Sequence, residues 1–268
     1  MVSGPLTIHG NRRLFPREDE AVAFLCVHGV LLVGTSIATY RHFYRQRILP
    51  GITTTCIVTL ALLRMATASM ELHLDPSRYH PNREENFATL DAVALVPFML
   101  MIFFYFLDNV VYRSQHSKGG LYTYIKRWQL IALAAVSLAA TAVYITGCVL
   151  ALQVDRKMPY VFQAGVILYV VLVLLILVGA FQFPLRMTMG NRIYRLSMVG
   201  APVTIRLLWS VVSTWSVNSE KSRFSPFRDS AQGVYTHLGM VLVMEFLASV
   251  MLCTNAEAID DIPEPPKK

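Results

Sequence analysis

Residues 194–218 read YRLSMVGAPVTIRLLWSVVSTWSVN. A largely apolar run of this length, at about 1.5 Å per helical residue, is long enough to cross a bilayer. Arg206 stands near its middle. A guanidinium at that depth is costly and must face protein or water rather than lipid. The candidate partner is Glu245, in the next apolar run, VYTHLGMVLVMEFLASVMLC at 234–253. The fold follows from asking how many other runs of this kind the chain holds.

There are five before it. The runs fall at about 21–40, 51–73, 87–112, 128–152 and 160–183, followed by 194–218 and 231–254. The 268-residue chain is 54% hydrophobic and only 15% charged, with a mean hydropathy of +0.47. Soluble domains are about 25% charged. The expected fold is therefore all-α: a polytopic bundle of seven transmembrane helices. It occupies residues 21–254, behind a polar segment at 1–20 and ahead of a disordered acidic, Pro-rich tail at 255–268. No cleavable signal peptide is expected, since the first apolar run opens only at Ala21 behind a mixed-charge segment. Pro76 and Pro81 should keep the 74–86 loop from being helical, and Pro97 should kink the third span. The loop VDRKMP at 154–159 is so short that spans four and five should be antiparallel neighbours. The small residues of LAAVSLAATA in span four permit close helix contact. Span five is the most uniformly apolar and is expected to be the most lipid-exposed.

Charge sets the orientation. Loops after spans one, three and five carry ten basic residues and no acidic ones; loops after spans two, four and six carry seven basic and six acidic. The excess of Lys and Arg puts the odd loops in the cytosol, the N-terminus outside and the C-terminus inside. The net charge of +7 thus serves topology, and no nucleic-acid partner is expected. The expected location is the plasma membrane or endoplasmic reticulum, with the lipid bilayer as principal partner.

Counted from the cytosolic ends, His28, Arg64, Arg206 and Glu245 all lie roughly 13–21 Å deep. Two readings of this group stand side by side. One is structural: Arg206–Glu245 locks two helices, Arg64 joins it or caps carbonyls, and His28 is a satisfied core histidine. The other is a substrate-binding cavity, in which two arginines against one glutamate leave a positive surplus suited to an anionic head group. Glu71, seven residues after Arg64 and on the same face, and Asp91 form a possible outer acidic pair for proton chemistry. His237 and His73 are placed near the outer surface, and Trp128, Trp209 and Trp215 in an aromatic belt. Cys26, Cys56, Cys148 and Cys253 lie inside apolar runs without metal-type spacing and are expected as buried thiols. No metal and no cofactor is expected: histidine clusters, H-E-x-x-H, G-x-S-x-G and P-loop motifs are absent, and the last span has no lysine for a retinal Schiff base.

Several stretches resemble a known family. RHFYRQR with ITTTCIVTLALLRMATASMEL, AGVILYVVLVLLILVG, RLSMVGAPVTIRLLWSVVSTWS and VYTHLGMVLVMEF are similar to segments of fungal integral membrane proteins of the RTA-like group, and more closely to relatives with a domain of unknown function. The resemblance covers roughly residues 35–254 and matches at Arg64, Arg206 and Glu245. It implies seven spans, an outside N-terminus and a fungal source. RTA-like proteins are described as lipid-translocating or lipid-stress resistance proteins. Three functions are therefore weighed. The first is binding or translocation of a lipid or amphipathic small molecule, tied to resistance or export. The second is an integral membrane enzyme of secondary metabolism, terpene-cyclase-like, with Glu71 and Asp91 as proton donors. The third is a heptahelical receptor, for which short cytosolic loops leave little surface.

Overall fold

The computed structural model describes residues 16–72, 81–116, 127–150, 160–182, 190–216 and 231–257. All of the regular structure among them is helical. The helices are α1 (Pro16–Tyr44), α2 (Ile48–Leu72), α3 (Pro81–Val93), α4 (Leu95–His116), α5 (Arg127–Val149), α6 (Tyr160–Gln182), α7 (Gly190–Trp215), α8 (Ala231–His237) and α9 (Met244–Glu257). A π-helical segment, Leu238–Val243, joins α8 to α9. Six stretches are long and apolar enough to cross a membrane: Asp19–Tyr44, Ile48–Leu72, Ala88–Val110, Trp128–Val149, Tyr160–Val178 and Gly233–Thr254. The 26-residue α7, with Arg192, Arg195 and Arg206, is not among them.

Several boundaries move from their expected places. Helix α1 begins at Pro16, so residues 16–20 are helical rather than irregular. Proline suits a first helical turn because the hydrogen bond it cannot donate is missing there anyway. Pro81 likewise opens α3, so residues 81–86 extend the third span backward and are no longer loop. The acidic tail and His73 lie outside the described residues, except that α9 runs on to Glu257. Helix α1 turns into α2 within residues 45–47. Arg47 N–H donates to the His42 carbonyl and Gln46 N–H to the Phe43 carbonyl, with Gln46 at φ 57°. This left-handed cap closes the helix end and folds α2 back along α1.

The third span breaks at Ala94, between α3 and α4. Pro97 has no N–H for the Val93 carbonyl and its ring crowds that turn, so the break falls one turn ahead of it. The last carbonyls of α3 then need outside donors. Tyr144 of α5 supplies one, donating its hydroxyl to the Ala92 carbonyl at 2.9 Å. Tyr144→Phe should leave that part-buried carbonyl without its donor, at about 1 kcal/mol. A melting temperature lower by a few degrees in purified protein would register it.

Helix α4 is the centre of the bundle. Phe98, Met99, Met101, Ile102, Tyr105 and Phe106 are all buried in the main apolar core, which they share with residues of α2, α5, α6 and α7. Helices α5 and α6 are antiparallel neighbours, as the short connection implies. Gly147 lies against Phe162, and Gly165 against Tyr144. The two pairings run in opposite directions along the helices and place the closest approach at glycines, beyond the LAAVSLAATA run. Helix α6 is not the most exposed span: 39% of it is buried, against 28% of α5. Large apolar side chains such as Val30, Val33, Leu138 and Leu174 point outward, the surface expected of a protein solvated by lipid. All four cysteines are free, but only Cys148 is fully buried; Cys26 is exposed.

Candidate functional site

Beside the main core lies a smaller cluster made of Ala21, Phe24, Ala68, Trp209, Val241 and Leu242. It packs around a chain of ionised side chains, built from five parts of the sequence. Helix α2 buries one stripe, Ile57, Leu60, Ala61, Arg64, Thr67, Ala68 and Glu71, at the spacing of a single helical face. Helix α1 buries Glu20, Phe24 and His28 at four-residue intervals. Helix α7 turns Arg206, Ser210, Ser213 and Thr214 inward while Met198, Leu208 and Trp215 face out.

Glu245 is the junction. Its side chain is wholly buried. Arg64 grips it side-on, donating Nε to Oε2 at 2.7 Å and Nη2 to Oε1 at 2.5 Å. Arg206 donates Nε to the same Oε1 at 2.7 Å and Nη1 to Ser210 Oγ at 2.6 Å. Two guanidiniums on one carboxylate form charge-assisted bonds with good directionality. Arg64 also reaches the other way, from Nη1 to the Asp91 carboxylate and to the Asp91 backbone carbonyl at 3.3 Å. That carbonyl belongs to the last turn of α3, so Arg64 serves the same break that Tyr144 serves. Asp91 Oδ2 in turn meets His237 Nε2 at 3.2 Å, and His237 Nδ1 meets Glu20 Oε1 at 2.5 Å. The result is a continuous chain, Glu20–His237–Asp91–Arg64–Glu245–Arg206, in which every member but Asp91 is almost fully buried.

Rings line it. Phe24 stacks on His28 at 5.5 Å and 3°, and on His237 at 5.5 Å and 29°. Trp209 meets His237 edge-on at 5.3 Å, and the Arg64 guanidinium sits 5.5 Å from the Phe24 ring centre. The π segment positions the two ends of the last span. Eight residues of ordinary α-helix would leave His237 and Glu245 about 80° apart around the axis. The wider π turn unwinds part of that difference and lets both face the same cluster.

Of the residues singled out from sequence, Arg64, Arg206 and Glu245 meet directly. His28 belongs to the same pocket, with Nε2 3.9 Å from Glu245 Oε2 and Nδ1 on the Phe24 carbonyl at 3.1 Å. Asp91 is a member of the ionic chain rather than half of an outer acidic pair. Glu71 is buried two turns further along α2. His237 is 1% exposed and is no interface residue. Trp209 is buried, while Trp128 and Trp215 are exposed as belt residues would be. Among the described residues the positive surplus also disappears: Glu20, Asp91 and Glu245 stand against Arg64 and Arg206. Glu20 had no signal in the sequence beyond its place one residue before an apolar run. Four-residue spacing to Phe24 and His28 was the available clue.

A family model described as a domain of unknown function (DUF7702) matches residues 15–256. No curated protein and no solved structure matches the chain.

Proposed function

The chain belongs to the family defined by that domain of unknown function, and on that premise we propose that it binds a lipid or other amphipathic small molecule within the bilayer and moves it. The carrying observation is the buried ionic chain itself. A bundle that needed only to be held together would do as well or better with apolar residues at these positions. Six ionisable side chains joined at membrane depth are instead the usual mark of a pathway for a polar group. Their donors and acceptors would take the head group, while the outward apolar faces meet the tails. Because the cluster has no spare cation among the described residues, a head group offering hydrogen-bond donors suits it better than a simple anion.

Helix α7 is the seventh crossing in this reading. Arg206, Ser210, Ser213 and Thr214 face inward, and Met198, Leu208 and Trp215 outward, an arrangement suited to lipid rather than water. The excess of basic residues in the odd loops then puts the N-terminus outside and the C-terminus in the cytosol. The likeness to RTA-like proteins supports lipid movement and a fungal source. The enzyme alternative is less favoured because Asp91, one of its two acids, is held by Arg64 through one oxygen and by His237 through the other, so it serves the ionic chain rather than a substrate.

Liposomes carrying the full chain and fluorescent phospholipids of several head-group classes test this. The protein should raise the fraction of inner-leaflet label reached by an external reductant at least severalfold over empty vesicles. Rates equal to empty vesicles for every head group, with no lipid raising the melting temperature, would overturn the reading.

A further inference from the structure

We infer that Glu20, His237 and Asp91 form a proton-binding site inside the bundle, and that lipid movement follows its loading. The first part stands on geometry alone; the second rests on the lipid-moving reading above. The two ring nitrogens of His237 each face a carboxylate oxygen, Nδ1 toward Glu20 and Nε2 toward Asp91. A neutral imidazole has one N–H and one bare lone pair. It can satisfy one of these acceptors and must turn a lone pair toward the other. Hydrogen on both nitrogens satisfies both, so the arrangement holds one proton more than neutral histidine carries.

The charge count agrees. The cluster holds three carboxylates, Glu20, Asp91 and Glu245, and two guanidiniums, Arg64 and Arg206. Among these described side chains one added proton balances the charges, and an unbalanced charge at this depth is costly. Among the described residues no three His, Cys, Asp or Glu side chains are placed to hold a metal ion, so a proton suits the position between the two acids. Phe24 and Trp209 cover the ring faces and edge. Asp91, with 14% of its side chain accessible, is the way in and out. On loading, a proton from water bonds to the bare ring nitrogen; on release that N–H breaks, the proton returns to water and the lone pair is restored.

Loading is felt at Glu245 because Asp91 is shared. With the ring charged, Asp91 divides its oxygens between His237 and Arg64. With the ring neutral, Asp91 draws Arg64 more strongly and loosens its hold on Glu245. His28 sits at that end, with Nε2 lacking a hydrogen-bond partner 3.9 Å from Glu245. The π segment lies between His237 and Glu245, and its wide turns allow one end to shift against the other.

The full-length protein in lipid bilayers, labelled at threonine carbonyl carbon and histidine nitrogen, tests this by solid-state NMR. His237 is the one histidine of the seven that follows a threonine, so its signal is selected without mutation. At pH 7 both ring nitrogens should carry hydrogen, and Glu20→Gln should remove one. A wild-type ring with a bare nitrogen at pH 7 overturns the site. In the liposome assay the lipid rate should change about tenfold between pH 6 and 9, and Glu20→Gln should flatten that response. A pH-independent wild-type rate overturns the link. A protein that moves no lipid at any pH fails the transport reading instead, while the His237 signal still decides the proton site.

Discussion

Glu245→Ala is expected to cost about 3–5 kcal/mol, because it leaves two buried guanidiniums without the carboxylate they share. That is a large part of the roughly 5–15 kcal/mol that holds a typical domain folded. Arg64 keeps Asp91, and Arg206 keeps only Ser210. Most of the loss should therefore come from Arg206. The combined Glu245→Met, Arg206→Met protein removes the stranded charge with it and should recover much of the stability, since a buried pair and a well-packed apolar pair are often of similar worth. Thermal melts of the purified single and double variants measure both effects. The double variant separates structure from function, because it should fold and yet move no lipid. A Glu245→Ala protein that melts with the wild type would mean that Arg206 and Glu245 do not meet inside the bundle.

Gly147→Ala should be strongly destabilising for the addition of a single methyl group. A Cβ there would lie 2.4 Å from the N and Cα of Phe162, and one at Gly165 would lie 2.5 Å from Cα of Tyr144. Both obstacles are backbone, so no rotamer change relieves them, and α5 and α6 must separate. Overpacking of this kind typically costs about 1–3 kcal/mol, occasionally more. Separation would also move Tyr144 away from the Ala92 carbonyl and disturb the α3–α4 break where Arg64 is anchored. The two substitutions act on one crossing, so the double variant should lose less than the two losses added together. Gly34→Ala, on the outer face of α1 with nothing within 4 Å of its added carbon, is the control and should melt at or slightly above the wild type.

Much was legible in the sequence because the signals are local. Each apolar run announces its own helix through its length and the scarcity of charge. Pro97 marks a distortion in the third span, and the short 154–159 connection pairs α5 with α6. Arg64, Arg206 and Glu245 stand out because an ionisable residue deep in an apolar run is anomalous wherever its helix packs. Other features misled. Proline at 16 and 81 reads as a breaker until the chain is seen to begin helices there. Asp91 and His237 seemed peripheral because each lies near the end of a run, with nothing local to say that its side chain points inward.

The sequence by itself determined a helical chain with apolar runs of membrane-spanning length and the place of its central charges within those runs, since hydropathy and helical rise depend only on neighbours in the chain. Tertiary structure decided which charges meet. Glu20 and His237 are 217 positions apart, and their contact depends on the rotation of α1 about its axis and on the register that the π segment imposes on the last span. Those quantities are set by how side chains on several helices pack at once, and no single stretch of the chain encodes them.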